Sequence, residues 1–258
     1  MIGRAEVVRR LRAAGCVWAE DEADLILREG GDVEALVAQR VSGAPLEVVL
    51  GWAELAGVRV HLDAGVFVPR RRSELLVDLA REEASRFASP VVVDLCCGSG
   101  AVGAAVVSGL PAATLVAADV DAVAVACARR NVEPLGGTAY LGDLYAALPV
   151  SVVADVLVVN APYVPSDEVG LLPREARDHE PRTALDGGAD GAELHRRVAA
   201  GAPARLSADG VLLVETSAAQ AELTVAAFES AGLVATVVHD DDLDATVALG
   251  RHPSRPRM

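Results

Sequence analysis

The chain contains no lysine, so all 23 of its basic residues are arginine, a bias of composition rather than of function. They face 37 acidic residues, and the formal net charge is -14. Phosphate binding draws on clustered basic charge, so this balance excludes a broad nucleic-acid surface and leaves only a local basic patch at Arg70-Arg71-Arg72. Cysteine is scarce. Cys16, Cys96, Cys97 and Cys127 show neither Cys-x-x-Cys spacing nor a framework pattern, which argues against a structural zinc or a disulfide scaffold and for small, reduced, buried residues. The N-terminal run Met1 to Glu6 is charged and lacks the apolar core of a signal peptide. Charge is missing from Leu95 to Ala118, long enough to raise a membrane span, but Gly98, Gly100, Gly103, Gly109 and Pro111 interrupt it. A cytoplasmic, soluble protein is expected.

What is present is apolar mass. With 258 residues and 52% hydrophobic content, the chain can bury a substantial core as one domain, or one domain plus a small appendage. Helical spacing runs through residues 4 to 42 and predicts three short helices. Ser42-Gly43-Ala44-Pro45 ends the third. Two apolar runs flanking Ala56-Gly57, between Val49 and Leu62, predict a hairpin. A helix is expected from Ser73 to about Arg86, with Leu75, Leu76 and Leu79 inward.

From Pro90 the pattern alternates strand and helix. Strands are expected at Val91 to Leu95, Thr114 to Ala118, Thr138 to Leu141, Asp155 to Val159, Val211 to Glu215, Val234 to His239 and Ala245 to Gly250. Helices are expected at Ala101 to Ser108, Ala122 to Asn131, Ala192 to Arg205 and Ala218 to Ser230, with a long loop after Val159. This order implies a mostly parallel sheet covered on both faces, its last two strands antiparallel across Asp240-Asp241-Asp242. The tail from Pro253 to Arg257 reads as disordered.

The apolar run Val158-Val159 stops at Asn160-Ala161-Pro162-Tyr163. A buried strand ending so delivers a small polar site that suits an amino group gripped without protonation, because an amide carbonyl and a backbone carbonyl both accept its hydrogens. Alone, the tetrapeptide reads as a strand-terminating turn. Upstream, Asp94-Leu95-Cys96-Cys97-Gly98-Ser99-Gly100 falls where the first sheet strand turns into a helix, and glycines there permit close approach by a ligand. Asp119 ends the next strand, near the separation of about 20 residues at which an acid meets ribose hydroxyls in dinucleotide folds. The dinucleotide fingerprint itself is poorly matched, with its third glycine at Gly103. An aspartate before the glycines is unwelcome beside a pyrophosphate but tolerable beside a cation such as a sulfonium; a loop-bracing acceptor is the plainer role for Asp94. Asp143, after another short strand, suits an adenine amine or a helix cap.

Together these segments resemble class I S-adenosylmethionine-dependent methyltransferases. More narrowly, the chain resembles the HemK/PrmC family of protein-(glutamine-N5) methyltransferases. The narrower likeness rests also on Pro45-Leu46 to Gly51, Gly65-Val66-Phe67-Val68-Pro69-Arg70 with Glu74-Leu75-Leu76-Val77, Glu180-Pro181-Arg182-Thr183-Ala184-Leu185-Asp186-Gly187-Gly188, and Glu215 with Gln220.

The resemblance implies a Rossmann-like fold with a mostly parallel seven-stranded sheet, helices on both faces, and a small N-terminal helical domain with a hairpin. The division expected is 1-64 for substrate recognition and 65-258 for the methyltransferase. S-adenosyl-L-methionine is the implied cofactor, leaving as S-adenosyl-L-homocysteine. Asp94, Cys96, Gly98, Ser99, Gly100, Asp119, Val120, Gly142, Asp143, Leu144 and Asn160 are then cofactor-binding residues. Asp119 is assigned to the ribose and Asp143 to the adenine edge. Asn160, Ala161, Pro162 and Tyr163 are assigned to the substrate amide, with no metal. The implied substrate is the Gly-Gly-Gln loop of a peptide-chain release factor, placing the protein in translation termination.

The sequence departs from the family in four places. Ala161 stands where the family usually has proline, Arg71-Arg72-Ser73 replaces the usual proline and acidic residues ahead of Glu74, Glu215-Thr216-Ser217 lacks the usual glycine, and the N-terminal region is short. Two other functions compete: an adenine-N6 nucleic-acid methyltransferase, whose flipped base offers a comparable amino group, and a non-catalytic S-adenosylmethionine-binding or partner-binding module. His179 and Glu180 read as part of a solvated charge cluster, Trp52 with the hairpin as cover for the sheet, and Arg70 to Arg72 as a solvated start to a helix.

Overall fold

The structure, a computed structural model, describes residues 2–253; the expected disordered tail lies outside the described residues from Ser254 onward. The chain begins with four helices, α1 (Arg4–Ala13), α2 (Ala19–Glu29), α3 (Val33–Val41) and α4 (Leu46–Leu50), followed by an antiparallel hairpin of β1 (Trp52–Leu55) and β2 (Val58–His61). Val7, Leu11, Ala19, Ala23, Ile26, Val37 and Leu50 form a separate apolar cluster. Its charged shell is tied down by Arg40, held by both oxygens of Glu22 at 2.7 and 3.0 Å.

Then come α5 (Glu74–Ala84), β3 (Val91–Leu95), α6 (Ala101–Val107), β4 (Thr114–Asp119), α7 (Ala122–Val132), β5 (Thr138–Leu141) and β6 (Ala154–Val159). The segment after β6 carries α8 (Arg174–His179), and the chain closes with α9 (Glu193–Gly201), β7 (Leu206–Thr216), α10 (Ala221–Ser230), β8 (Val234–Asp240) and β9 (Ala245–Arg251). The sheet has seven strands in the order β5-β4-β3-β6-β7-β9-β8, parallel up to β7 and antiparallel across β7-β9-β8.

Central parallel strands are covered on both faces, so they read as continuous apolar runs whose alternate residues enter different cores. Val156 and Val158 face one cluster with α5, α6 and α7; Leu157 and Val159 face the other with α9 and α10. Successive connections carry β4 to one side of β3 and β6 to the other, which opens a crevice at their C-terminal ends, where open α/β sheets place ligands.

The hairpin expected around Ala56-Gly57 forms, and Ala53, Leu55, Val60 and Leu62 of that region are buried in the core cluster of α5 and α6. The structure corrects several expectations. Trp52 does not cover the sheet: it packs on the N-terminal cluster, donates from Nε1 to Glu29 at 3.0 Å and carries the Arg59 guanidinium 3.7 Å above its ring. The buried face of α5 is Leu76, Val77, Ala80 and Ala84, while Leu75 and Leu79 are half-buried at its edge. The helix expected through Arg205 stops at Gly201 and passes into a tight turn containing Pro203, whose nitrogen has no hydrogen for an α-helical bond. No helix among the described residues is long and apolar enough to cross a membrane.

Candidate active site

The C-terminal ends of β3, β4, β5 and β6 surround a cavity of about 980 Å³. It is lined by Asp94, Cys96, Gly98 and Ser99 after β3, by Asp119 and Val120 after β4, by Gly142, Asp143 and Leu144 after β5, and by Asn160 to Tyr163 after β6. Those residues are drawn from a long stretch of chain and meet because parallel strands point the same way. Gly100, also expected at the cofactor, lies beneath the loop, where a Cβ would stand 2.9 Å from Val132 Cγ2.

Asp94 is fully buried, and its Oδ2 accepts the Gly103 N–H at 2.8 Å. This is the bracing role, and it explains the third glycine: a Cβ at Gly103 would lie 2.9 Å from that same oxygen. Burial pushes the Asp94 carboxyl up to about 7, the Gly103 N–H opposing and Asp119 adding to the rise. Asp119 Oδ2 accepts from Gly98 N and its Oδ1 from Asp121 N, both at 2.9 Å, so the acid fixes the loop it faces. Its carboxyl is also raised, chiefly by burial, with those backbone donors opposing. Asp143 makes no capping bond in the turn it precedes; its Oδ2 accepts from Arg197 Nη2 at 2.6 Å. Cys96 and Leu144 hold the left-handed backbone at φ 55° and 47°, a conformation rare outside glycine, and both line the cavity.

The Asn160-to-Tyr163 segment is braced on three sides. Asn160 Nδ2 donates to Ser73 Oγ at 3.1 Å. Gln220 Nε2 donates to the Tyr163 carbonyl at 2.8 Å, and the Tyr163 hydroxyl donates to Glu215 Oε1 at 3.4 Å. A short parallel bridge joins Val164 to Asp186, with the Gly187 N–H on the Val164 carbonyl at 2.8 Å. Gly187 packs so closely that a Cβ there would stand 2.6 Å from Tyr163 Cα and 2.7 Å from the Pro162 carbonyl oxygen. Burial pushes the Tyr163 phenol up to about 12, with Glu215 adding to the rise. Ala161 is buried in the core, where its small side chain fits without a proline ring.

Sequence reasoning missed Ser73, Arg197, Asn131 and the bracing roles of Glu215, Gln220 and Gly187. Asn131 Nδ2 donates to the carbonyls of His61 and Ser99, both at 2.8 Å, stitching the hairpin to the loop after β3. A lone asparagine near a helix end carried no signal of this. Glu180 proves buried rather than solvated: it pairs with Arg70, and burial raises its carboxyl while Arg70 lowers it. Arg71 and Arg72 are exposed, as a solvated helix start requires.

Three acids and exposed loop backbone around one cavity form a poor cradle for a polyphosphate. They fit a ligand carrying a cation, a diol and an amine, as S-adenosylmethionine does. The fold and this site define a class I S-adenosylmethionine-dependent methyltransferase. The same fold occurs in a Thermus thermophilus 16S rRNA guanine-N2 methyltransferase solved with that cofactor and guanosine (TM-score 0.56, 19% identity, covering 78% of this chain and 50% of that one).

Residues 57–171 match the family model of the methyltransferase small domain. The release factor glutamine methyltransferase of Geobacter sulfurreducens is 36% identical over 76% of this chain and 69% of its own length. The ribosomal protein uL3 glutamine methyltransferase of Bordetella pertussis is 40% identical over 75% of this chain and 67% of its own. This chain belongs to the family of release factor glutamine methyltransferases, the HemK/PrmC family.

Proposed function

We propose that this protein transfers the methyl group of S-adenosylmethionine to the side-chain amide nitrogen of a glutamine in the Gly-Gly-Gln loop of a peptide-chain release factor, in the cytoplasm. The observation that carries this reading is the position of Asn160 to Tyr163, on the same cavity that Asp94, Asp119 and Asp143 line. When bound, S-adenosylmethionine supplies an electrophilic methyl on a cationic sulfur and leaves as S-adenosylhomocysteine. In this reading Asp119 takes the ribose hydroxyls, the Asp143 region the adenine edge and the Gly98-Ser99 backbone the intervening atoms, with Cys96, Val120, Gly142 and Leu144 walling the site.

A glutamine amide is a weak nucleophile because its lone pair is delocalised. The Asn160 carbonyl and the Ala161 backbone carbonyl each accept one of its hydrogens, which aims the nitrogen and readies it to lose a proton as the new carbon–nitrogen bond forms. Tyr163, held neutral by its raised pKa, packs its ring on the amide plane. Holding two reactants so contributes on the order of 7 to 11 kcal/mol toward a bimolecular barrier. Residues 1–64 serve recognition of the protein partner. Arg40 ties these helices to the site, pairing with Glu22 and with Glu175 on the cavity rim at 2.9 Å.

The uL3-directed relative gives a second reading, a glutamine of that ribosomal protein. Mass spectrometry of release factors and uL3 co-expressed with this protein separates the two. One added methyl on the Gly-Gly-Gln glutamine is expected. Label confined to uL3 selects the second reading, and label in nucleic acid alone rejects both.

A further inference from the structure

Three peptide units link Cys97 to Gly100, and the protein ties the first and the third at both ends. In the first, the Gly98 N–H donates to Asp119 Oδ2 at 2.9 Å and the Cys97 carbonyl accepts from Gly100 N at 2.7 Å. In the third, the Gly100 N–H makes that same bond to Cys97, and the Ser99 carbonyl accepts from Asn131 Nδ2 at 2.8 Å. The middle unit, the Gly98 carbonyl with the Ser99 N–H, meets only Cys97 Sγ at 3.9 Å among the described residues, and both of its residues line the cavity. Ser99 is buried, and a buried backbone N–H calls for an acceptor, so this is the unit open to a ligand.

Asn131, on α7, fixes the third unit to a second element. Its Oδ1 accepts from His61 N at 2.7 Å while its Nδ2 donates to the His61 carbonyl at 2.8 Å, so the side-chain amide pairs with the end of β2 as a neighbouring strand would. The amide fits one way round. Turned over, it would set its oxygen against the His61 and Ser99 carbonyls and its NH2 against an N–H. α7 also presses on the loop directly, since a Cβ at Gly100 would stand 2.9 Å from Val132 Cγ2 and 3.4 Å from Ala128 Cβ.

We propose that Asn131 is a positioning residue for the cofactor: by joining β2 to the Ser99 carbonyl, its amide holds the third peptide unit still and keeps the Gly98–Ser99 unit presented to S-adenosylmethionine. Its bonds go to backbone on the far side of the loop, so its effect falls on cofactor binding rather than on transfer. The inference rests on the reading in which the cofactor lies against the Gly98–Ser99 backbone.

The variants are Asn131→Asp, Asn131→Ala and Arg129→Ala. Aspartate has nearly the same shape and keeps an acceptor for His61 N, but once ionised it has no hydrogen for the two carbonyls. Arg129, also on α7, donates from Nε to the Ala139 carbonyl of β5 at 3.4 Å, so its loss loosens the same helix away from the loop. Leaving a carbonyl unpaired lowers affinity by about tenfold or more, and calorimetry with S-adenosylhomocysteine is expected to show that loss in both Asn131 variants and a change within about twofold in Arg129→Ala. In methyl transfer the KM for S-adenosylmethionine is expected to rise by the same factor, with kcat at saturation close to the parent's. Parent-like affinity in a folded Asn131→Asp, an equal loss in Arg129→Ala, or a fall in kcat with KM unchanged overturns the proposal.

Amide hydrogen exchange follows the loop without any ligand. The Gly100 N–H is expected to exchange about tenfold faster or more in Asn131→Asp than in the parent, and at the parent's rate in Arg129→Ala; equal rates in Asn131→Asp and the parent overturn the proposal. Failure of the cofactor reading looks different, because the parent itself then binds no S-adenosylhomocysteine, and the proposal falls with it. A parent that methylates neither release factor nor uL3 while the affinity and exchange patterns hold rejects the glutamine reading and leaves the role of Asn131 standing.

Discussion

The Gly103 N–H points at the Asp94 carboxyl group, 2.8 Å from Oδ2, and joins the end of β3 to α6, the helix that follows it. Burial makes a charge on this acid unfavourable, and the Gly103 N–H is the donor that opposes that cost.

Asp94→Asn tests this balance. The Asp94 carboxyl is raised from 3.8 to about 7 in the folded protein. A raised folded pKa means the native state holds the proton more tightly than the unfolded chain, so the stability it contributes is present below pH 3.8 and lost as pH rises to 7. Asparagine keeps an acceptor for Gly103 without the charge. Its melting temperature is expected to exceed the parent's by on the order of 2 °C or more at pH 8, the gap closing at pH 5, while S-adenosylmethionine binds more weakly. A gap independent of pH, followed by fluorimetric melting, contradicts the assignment.

In the proposed mechanism Asn160 serves the substrate and Asp119 the cofactor, and two variants test that division. Asn160→Ala is expected to abolish transfer with S-adenosylhomocysteine affinity nearly intact. Asp119→Ala is expected to weaken that affinity by about tenfold or more, losing a charged acceptor together with its hold on Gly98. Calorimetry on the two variants decides; equal losses of affinity refute the division.

Gly187→Ala strikes the substrate motif from behind. The atoms a Cβ would meet, Tyr163 Cα, the Pro162 carbonyl and the Gly191 carbonyl, are all backbone and cannot rotate aside. Overpacking of this kind destabilises by about 1 to 3 kcal/mol. Transfer is expected to fall at least tenfold while cofactor affinity holds. Parent-like kcat with parent-like stability in urea would show that the loop yields without moving Tyr163.

His195 governs the acid side of the stability profile. It is fully buried, with Nδ1 on Thr224 Oγ1 at 2.8 Å and Nε2 unpartnered. Burial, helped by Arg196 and opposed by Asp190, lowers it to about 4. Its neutral form contributes stability fully above pH 6.5, and that contribution is lost as pH falls from 6.5 to 4, because the unfolded chain takes the proton first. His195→Gln is expected to cost about 1 to 2 kcal/mol at pH 7 and to flatten the profile in that window. Urea midpoints at pH 7 and 5 in both proteins measure it; parallel profiles would exonerate His195.

The central strands were legible because burial on both faces writes itself as continuous Val, Leu and Ala, with a polar residue or a tight-turn segment at or just past each end. α8 was not legible. Arg174 to His179 is nearly all charged, and it is helical because its neighbours hold it, Arg40 through Glu175 among them. α4 was not legible as a helix: only Val49 and Leu50 fell in the apolar run that pointed to the hairpin, and its outcome depended on the N-terminal helices it packs against. The hairpin's alternation announced a buried face without saying which core would bury it.

The sequence by itself determined the alternation of strand and helix, the acids that close β3 and β4, and the polar stop at Asn160. Those are local consequences of hydrophobic period and of backbone-permissive turns, and they travel with the chain. Only the tertiary structure decided what braces Asn160 to Tyr163. Ser73, Gln220 and Gly187, distant from it in sequence, meet the Asn160-to-Tyr163 segment only because the β6 and β7 strands and the loop after β6 fold together, and there Ser73 accepts from Asn160 Nδ2 and Gln220 donates to the Tyr163 carbonyl.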